Sequence, residues 1–234
     1  MAQSSVSVTS ATAAYSSEAA DRLERFSFTP SQGRRSVLAG VQRRWLRERR
    51  RRKVGRAYDM SLEIARFIPA TSKVLDVGCG NGFIAHHLAA ACEARVMGID
   101  LDETTEAPIA YRQFAGRHFP VADGSMDVAL LCYVLHHAQE LEVVLGELKR
   151  VLRPGGRVIV YEDIPDGWWD RFLCWTHNLK WRKRTGPCTF RREAEWRSLF
   201  NSAGFEVVIG RRLSRWRNLS HPVRRQLYVL LSSV

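Results

Sequence analysis

Short apolar runs closed by an acid or a turn residue alternate along this chain with longer stretches whose apolar residues recur every three or four positions. Val74-Leu75-Asp76-Val77, Val96-Met97-Gly98-Ile99-Asp100, Val128-Ala129-Leu130-Leu131-Cys132 and Val158-Ile159-Val160-Tyr161 are of the first kind. They read as buried strands, because a strand covered on both faces needs no polar alternation. Phe83–Ala89 is of the second kind, as is the stretch 139–152 with Leu141, Val144, Leu145, Leu148, Val151 and Leu152 on one side. These read as helices, and strand–helix alternation predicts an α/β fold. A third strand falls within 109–123. Residues 191–200 form an amphipathic helix stopped by Gly204, Phe205–Ile209 is a sixth strand and Gln226–Leu231 a seventh. One or two further helices lie between about 35 and 68, ended by Pro69, with Val54, Tyr58, Leu62, Ala65 and Ile68 as their apolar positions.

Composition changes this picture in three ways. The chain has 234 residues, 45% of them hydrophobic, which suits one α/β domain with some decoration. Its formal charge of +12 raises the expectation of an anionic partner, either nucleic acid, a phospholipid surface or an acidic substrate. Much of that charge sits in Arg43–Lys53, where eight basic residues face one acid. Two readings stand for this run: a solvated helix face, or an electrostatic footprint for RNA or phospholipid. The five cysteines lack C-x-x-C spacing, which argues against a disulfide framework and a structural zinc, so no metal is assigned and a reducing cytoplasm is expected. No apolar run is long enough to span a membrane, and the N-terminus lacks the pattern of a secretory signal. Residues 1–33 read as a disordered tail, 34–70 as a basic helical segment and 71–234 as the α/β domain.

The chemistry concentrates in Asp76-x-Gly78-x-Gly80-x-Gly82, which follows the first strand and opens a helix. Strand, glycine turn and helix let a backbone approach a nucleotide closely. The spacing differs from the G-x-G-x-x-G dinucleotide fingerprint. Asp100 ends the second strand, where an acid can accept hydrogen bonds from both hydroxyls of a ribose.

The run VLDVGCGNG resembles motif I of class I S-adenosylmethionine-dependent methyltransferases. Further matches follow in order, in Ala122–Cys132 and in LKRVLRPGGRVIV, and together they cover roughly 72–163. The resemblance implies a Rossmann-like, doubly wound and mostly parallel seven-stranded sheet in the order 3-2-1-4-5-7-6 with an antiparallel seventh strand. It implies S-adenosyl-L-methionine as cofactor, held by Asp76, Gly78, Gly80, Gly82, Asp100, Leu101, Phe114, Ala115 and Cys132. Many relatives place an acid in the adenine loop where this chain has Ala115. The adenine amino group is then met by backbone or water, or cofactor affinity is lower.

For the acceptor, negative signals come first. There is no Asp/Asn-Pro-Pro-aromatic motif after the fourth strand and no Pro-Cys nucleophile, so nucleobase amino-methylation and cytosine-C5 chemistry are not expected. Cys132 reads as a fully buried strand cysteine. His136 is the candidate base, since imidazole titrates near neutral pH, although a histidine opening a turn often only packs. Tyr133, His137, His177, Trp168, Trp169 and Trp175 are candidate substrate residues. Three readings of the aromatic insertion at about 164–190 stay open: a lid over an apolar substrate, simple core, or a membrane-interface face. The expected activity is methyl transfer to a small apolar or aromatic acceptor. The alternatives are a degenerate methyltransferase fold that only binds, and an RNA methyltransferase.

Overall fold

The computed structural model describes residues 37–217 and 221–232, so the tail expected at 1–33 lies outside the described residues. The chain divides between Glu48 and Arg49 into two units, and the second carries the sheet. The segment expected to hold one or two helices is a single helix, α1, over Val37–Ala65. Good helix formers, chiefly Arg, Leu, Glu and Ala, dominate it, and no proline interrupts it before Pro69. Its buried positions are Ala57, Ser61, Glu63 and Ile64, followed beyond its end by Ile68. That face is turned by about one residue from the expected one, which leaves Leu62 exposed.

The remaining elements are β1 (Lys73–Val77), α2 (Phe83–Ala91), β2 (Arg95–Asp100), β3 (Ala110–Gln113), β4 (Met126–Cys132), α3 (Leu141–Val151), β5 (Leu152–Ile164), α4 (Trp168–Thr185), α5 (Glu193–Ser202), β6 (Phe205–Leu213) and β7 (Arg224–Ser232). Short 3₁₀ turns occupy Leu135–His137 and Arg215–Arg217. The sheet order is β3-β2-β1-β4-β5-β7-β6. β1 pairs in parallel with β2 and β4, and β5 in parallel with β4. β7 runs antiparallel to both β5 and β6. This is the Rossmann-like α/β sheet that the resemblance implied.

Two apolar layers cover the sheet. On one side α3 and α5 bring Leu145, Leu148, Trp196 and Phe200 against Leu75, Ala129 and Val160. On the other, Ile64 from α1 and Leu88 from α2 pack on Val74, Val128, Leu130 and Ile159. Both faces of β1 and β4 are therefore dry, which is why their sequences do not alternate. The Arg153-Pro154-Gly155-Gly156 segment does not turn freely between α3 and β5. Leu152 already pairs with Met126, and a register shift follows before Val128 meets Arg157, so the segment is a bulge in the strand. Among the described residues no helix is long and apolar enough to cross a membrane.

Candidate active site

In a parallel sheet the ligand crevice opens at the carboxyl ends of the strands, where the order reverses. Here that place lies between β1 and β4, and the glycine loop after β1 lines it. Gly78 and Gly80 have φ of +67° and +54°, a region costly for any side chain. Gly78 is tight as well, since a β-carbon there would lie 2.6 Å from Val134 Cγ2 on the loop after β4. Gly80 is the opposite case, with nothing within 4 Å of an added β-carbon. Its outward face is open to a ligand.

Asp100 closes this loop from β2. Its Oδ2 accepts from the Gly80 N–H at 2.7 Å, and its Oδ1 accepts from Leu101 N at 2.7 Å. A carboxylate has room for about four hydrogen bonds, so acceptor capacity is left over. Leu101 is exposed beside it, and a β-carbon on Gly116 would meet Leu101 Cδ2 at 3.5 Å. Phe114, whose N–H donates to Asp100 O at 3.0 Å, stacks edge-on against Phe119. Leu101 thus lies against the 114–116 loop. Ala115 is exposed there and offers only its backbone. The segment 102–107, unassigned from the sequence, seals the flank: Thr105 Oγ1 donates to Gly80 O at 3.0 Å and Ala107 N to Asn81 O at 3.0 Å.

Asp76 lies beneath the loop, 2% exposed, and its Oδ2 has no hydrogen-bond partner. Burial first, and the neighbouring Asp100 charge second, push its pKa up to about 8. An unpartnered buried carboxyl, an open positive-φ glycine and an acid at the end of β2 fit a cationic nucleoside such as S-adenosylmethionine. Cys132 ends β4 and is partly exposed rather than fully buried as expected. The reason is position: it is the last residue of its strand, where the sheet opens into the crevice. Burial, then Asp76, still raise its pKa well above the usual thiol range, so it is no nucleophile.

Tyr133, His136 and His137, expected on the acceptor side, lie on the turn after β4. Tyr133 takes φ +61°, a strained value for an aromatic residue, and the chain then enters the Leu135–His137 turn. Glu162, at the end of β5 and 0% exposed, organises this turn. Its Oε1 accepts from Leu135 N at 2.8 Å and its Oε2 lies 2.6 Å from His136 Nδ1. Sequence reasoning missed Glu162. The available signal was an acid directly after the buried run Val158–Tyr161, at the strand end that faces ligands.

His136 itself is only 1% exposed, with Phe190 stacked on it at 4.5 Å between ring centres. Direct contact with an acceptor, as expected for a base, therefore requires Phe190 to give way. Burial lowers the His136 pKa, but the Glu162 charge and hydrogen bond outweigh it and leave it raised. His137 and His177 join it from the turn and from α4, with His137 Nε2 3.3 Å from His177 Nε2. Burial first, and neighbouring imidazoles second, lower these two to about 3 and about 4.

The aromatic insertion forms most of α4. Trp168 is 75% exposed, and Trp169, Phe172 and Trp175 are exposed with it, each ring in contact with the next. The core reading is therefore overturned. Helical spacing places these rings on one face, and that face points away from the sheet. Asp170 on the opposite face anchors the helix, fully buried, accepting from Arg224 N and from Arg215 Nη2 at 3.2 Å each. Trp175 also lines a cavity of 340 Å³ with Cys174, Asn178, Cys188, Phe190 and Glu195 among its walls. Phe190 is shared between this cavity and His136. Trp168 and Trp169 do not line it.

Comparison with known proteins agrees with this geometry. Residues 75–160 match the family described as "Methyltransferase domain". The chain is 29% identical over 160 residues to the human thiol S-methyltransferase TMT1B, covering 61% of this chain and 64% of that protein. It is 32% identical over 108 residues to the tRNA (carboxymethyluridine(34)-5-O)-methyltransferase ALKBH8 of Macaca fascicularis, covering 43% of this chain and 16% of that one. In both cases it spans less than two thirds of the relative's length. Among solved structures, the [4+2]-cyclase SpnF superposes with a TM-score of 0.61 at 16% identity, over 76% of this chain and 82% of that one, a likeness of fold alone. The glycine loop, Asp100 and the family match together mark residues 75–160 as a methyltransferase domain similar to those of class I S-adenosylmethionine-dependent enzymes.

Proposed function

We propose that this protein transfers a methyl group from S-adenosylmethionine to a small, apolar or aromatic acceptor in the cytoplasm. The observation that carries the proposal is the donor cradle: Asp76 with an unpartnered oxygen, the open Gly80 and Asp100 at the end of β2. S-adenosylmethionine, when bound, supplies a sulfonium-activated methyl group. Asp100 would hold the ribose, Leu101 and the 114–116 loop the adenine, and Asp76 the cationic methionyl end. The rest of the protein's task is to orient the acceptor and exclude water. Tyr133 and His137 sit on the turn next to Val134, which touches the glycine loop, so an acceptor held there lies beside the donor. The 340 Å³ cavity is of ligand size and shares Phe190 with the histidines, and the exposed rings of α4 support an apolar acceptor. His136, with its Nδ1 on Glu162, is the base in this reading, taking a proton at Nε2 from an acceptor that displaces Phe190. All five cysteines are free thiols, in keeping with a reducing compartment.

Calorimetry with S-adenosylmethionine tests the donor site. Asp76 is held protonated at neutral pH in the free protein, and a cation placed against it favours ionisation. Binding at pH 7 is then expected to release close to one proton, with affinity rising as pH climbs toward 8. The proton count is read from the heat measured in buffers of different ionisation enthalpy. No binding at millimolar cofactor would leave a degenerate, binding-only fold, and binding without proton release would remove Asp76 from the site.

A second reading, an RNA methyltransferase, is favoured by the basic run on α1, whose residues 43–52 are exposed. It requires RNA affinity that falls steeply with salt and drops when Arg49–Lys53 are neutralised. RNA binding that is absent, or insensitive to salt, sinks this reading and leaves the small-molecule acceptor.

A further inference from the structure

We propose that His136, His137 and His177 form a binding site for a divalent transition-metal ion, with Zn²⁺ the best chemical match. The three residues come from two elements, the turn after β4 and helix α4, and one ring nitrogen of each lies within 4.8 Å of the other two. His137 Nε2 and His177 Nε2 are 3.3 Å apart. Two ligands on a tetrahedral ion with Zn–N bonds of 2.0–2.1 Å stand about 3.3 Å apart. One edge of the tetrahedron is therefore already in place, and closing the others needs a shift of at most about 1.5 Å between side chains, the difference between 4.8 Å and that separation.

The outer nitrogens support the same reading. A metal-bound histidine typically donates its other N–H to a carboxylate, carbonyl or similar partner, which fixes ring and tautomer. His136 Nδ1 is on Glu162 Oε2 at 2.6 Å. His137 Nδ1 is 2.9 Å from Thr185 Oγ1 and 3.3 Å from Cys188 Sγ. Cys188 thus supports the outer side of the ring and is not itself a ligand. The turn and the end of α4 are locked together by Gln139, whose Nε2 donates to Thr185 O and Pro187 O at 3.0 Å each. With Nδ1 committed, His136 has Nε2 to offer, and that atom is buried without any partner.

Packing alone explains the rings, which stack with Phe190 and Trp181, but not that orphaned nitrogen. Protons do not explain the cluster either. His137 Nε2 and His177 Nε2 face each other at 3.3 Å, with room for at most one proton between them. Neutral imidazoles are the donors that zinc and its first-row neighbours take, and Mg²⁺ or Ca²⁺ do not. Three ligands leave a fourth position for water or an acceptor atom. Ion binding itself does not depend on the methyltransferase reading, but an ion on His136 Nε2 takes the place of the proton that His136 would accept as base, so the two roles exclude each other.

The test uses the full chain, stripped with a chelator and titrated with Zn²⁺ by calorimetry and with Co²⁺ by visible absorption. One ion per chain is expected, with the intense absorption of tetrahedral Co²⁺. His137→Ala and His177→Ala should abolish it, while His86→Ala on α2 should not. Glu162→Gln should keep the site but weaken it about 10- to 100-fold, as loss of an outer partner does. Absence of binding at about 100-fold excess of ion over protein, or binding unchanged in His177→Ala, overturns the proposal. Should the alanine variants fail to fold, His177→Gln decides: a retained tetrahedral spectrum overturns it, and a lost one supports it. S-adenosylmethionine calorimetry on the same samples separates failure of the metal site from failure of the donor site.

Discussion

Asp100→Ala is expected to weaken S-adenosylmethionine binding by about 100-fold or more, the loss of two hydrogen bonds to a charged group at roughly 1.5–3 kcal/mol each. Both oxygens of Asp100 already accept a backbone N–H, from Gly80 and from Leu101, so the carboxylate arrives preoriented and spends little entropy when a ribose docks. The alanine variant also frees the glycine loop from β2. Asp100→Asn distinguishes the two effects, because it keeps one carbonyl oxygen for Gly80 but loses the charge. It should fall between wild type and alanine. Calorimetric dissociation constants for the three proteins are the measurement, and an unchanged value for Asp100→Ala would falsify the ribose assignment.

The second large effect concerns stability. Glu162→Leu should cost roughly 3–5 kcal/mol, the penalty for breaking a buried ion pair by removing one partner. It strands His136 Nδ1 and Leu135 N inside the protein, where neither can reach water. Glu162→Gln keeps an acceptor for one of them and should cost about 1–2 kcal/mol. Adding His136→Leu to Glu162→Leu should recover much of the loss, since an apolar pair of similar volume replaces the stranded one. Urea unfolding of wild type, Glu162→Leu, His136→Leu and the double variant gives the cycle. Equal costs for Glu162→Leu with and without His136 would show that the two residues are not coupled.

These two acids show where the sequence was legible. Asp100 could be placed because it ends an apolar strand beside a glycine pattern with few other uses. Glu162 also ends an apolar strand, but nothing local distinguishes it from Asp163 next to it. Only the fold shows that Glu162 meets the histidine turn while Asp163 pairs with buried Arg225 at 3.1 Å. The sheet order came from resemblance, since pairing between distant strands leaves no local mark. The α4 aromatics illustrate a different limit. Helical spacing places Trp168, Phe172 and Trp175 on one face, yet a buried stripe and an exposed stripe have the same periodicity. The buried Asp170 opposite them was the clue to orientation, and a lone acid in an aromatic helix looks like surface. For α1, Leu62 outranked Ser61 on hydrophobicity, but Ser61 folds its hydroxyl onto Tyr58 O at 2.7 Å and lies inside.

The insertion of β7 between β5 and β6 bears on how the protein is made. Until the stretch 224–232 leaves the ribosome, β6 has no neighbour and the edge of β5 stands open. The earlier strands can pair as they emerge, and β7 can pair locally with β6, Leu213 meeting Arg225, but its pairing with β5 joins residues as distant as Arg157 and Leu231, and such contacts form slowly. A nascent chain stalled before Arg224 would therefore expose both edges of β6 and the open edge of β5 at once. Such edges recruit other strands, so holding by a chaperone is most needed in that interval of synthesis.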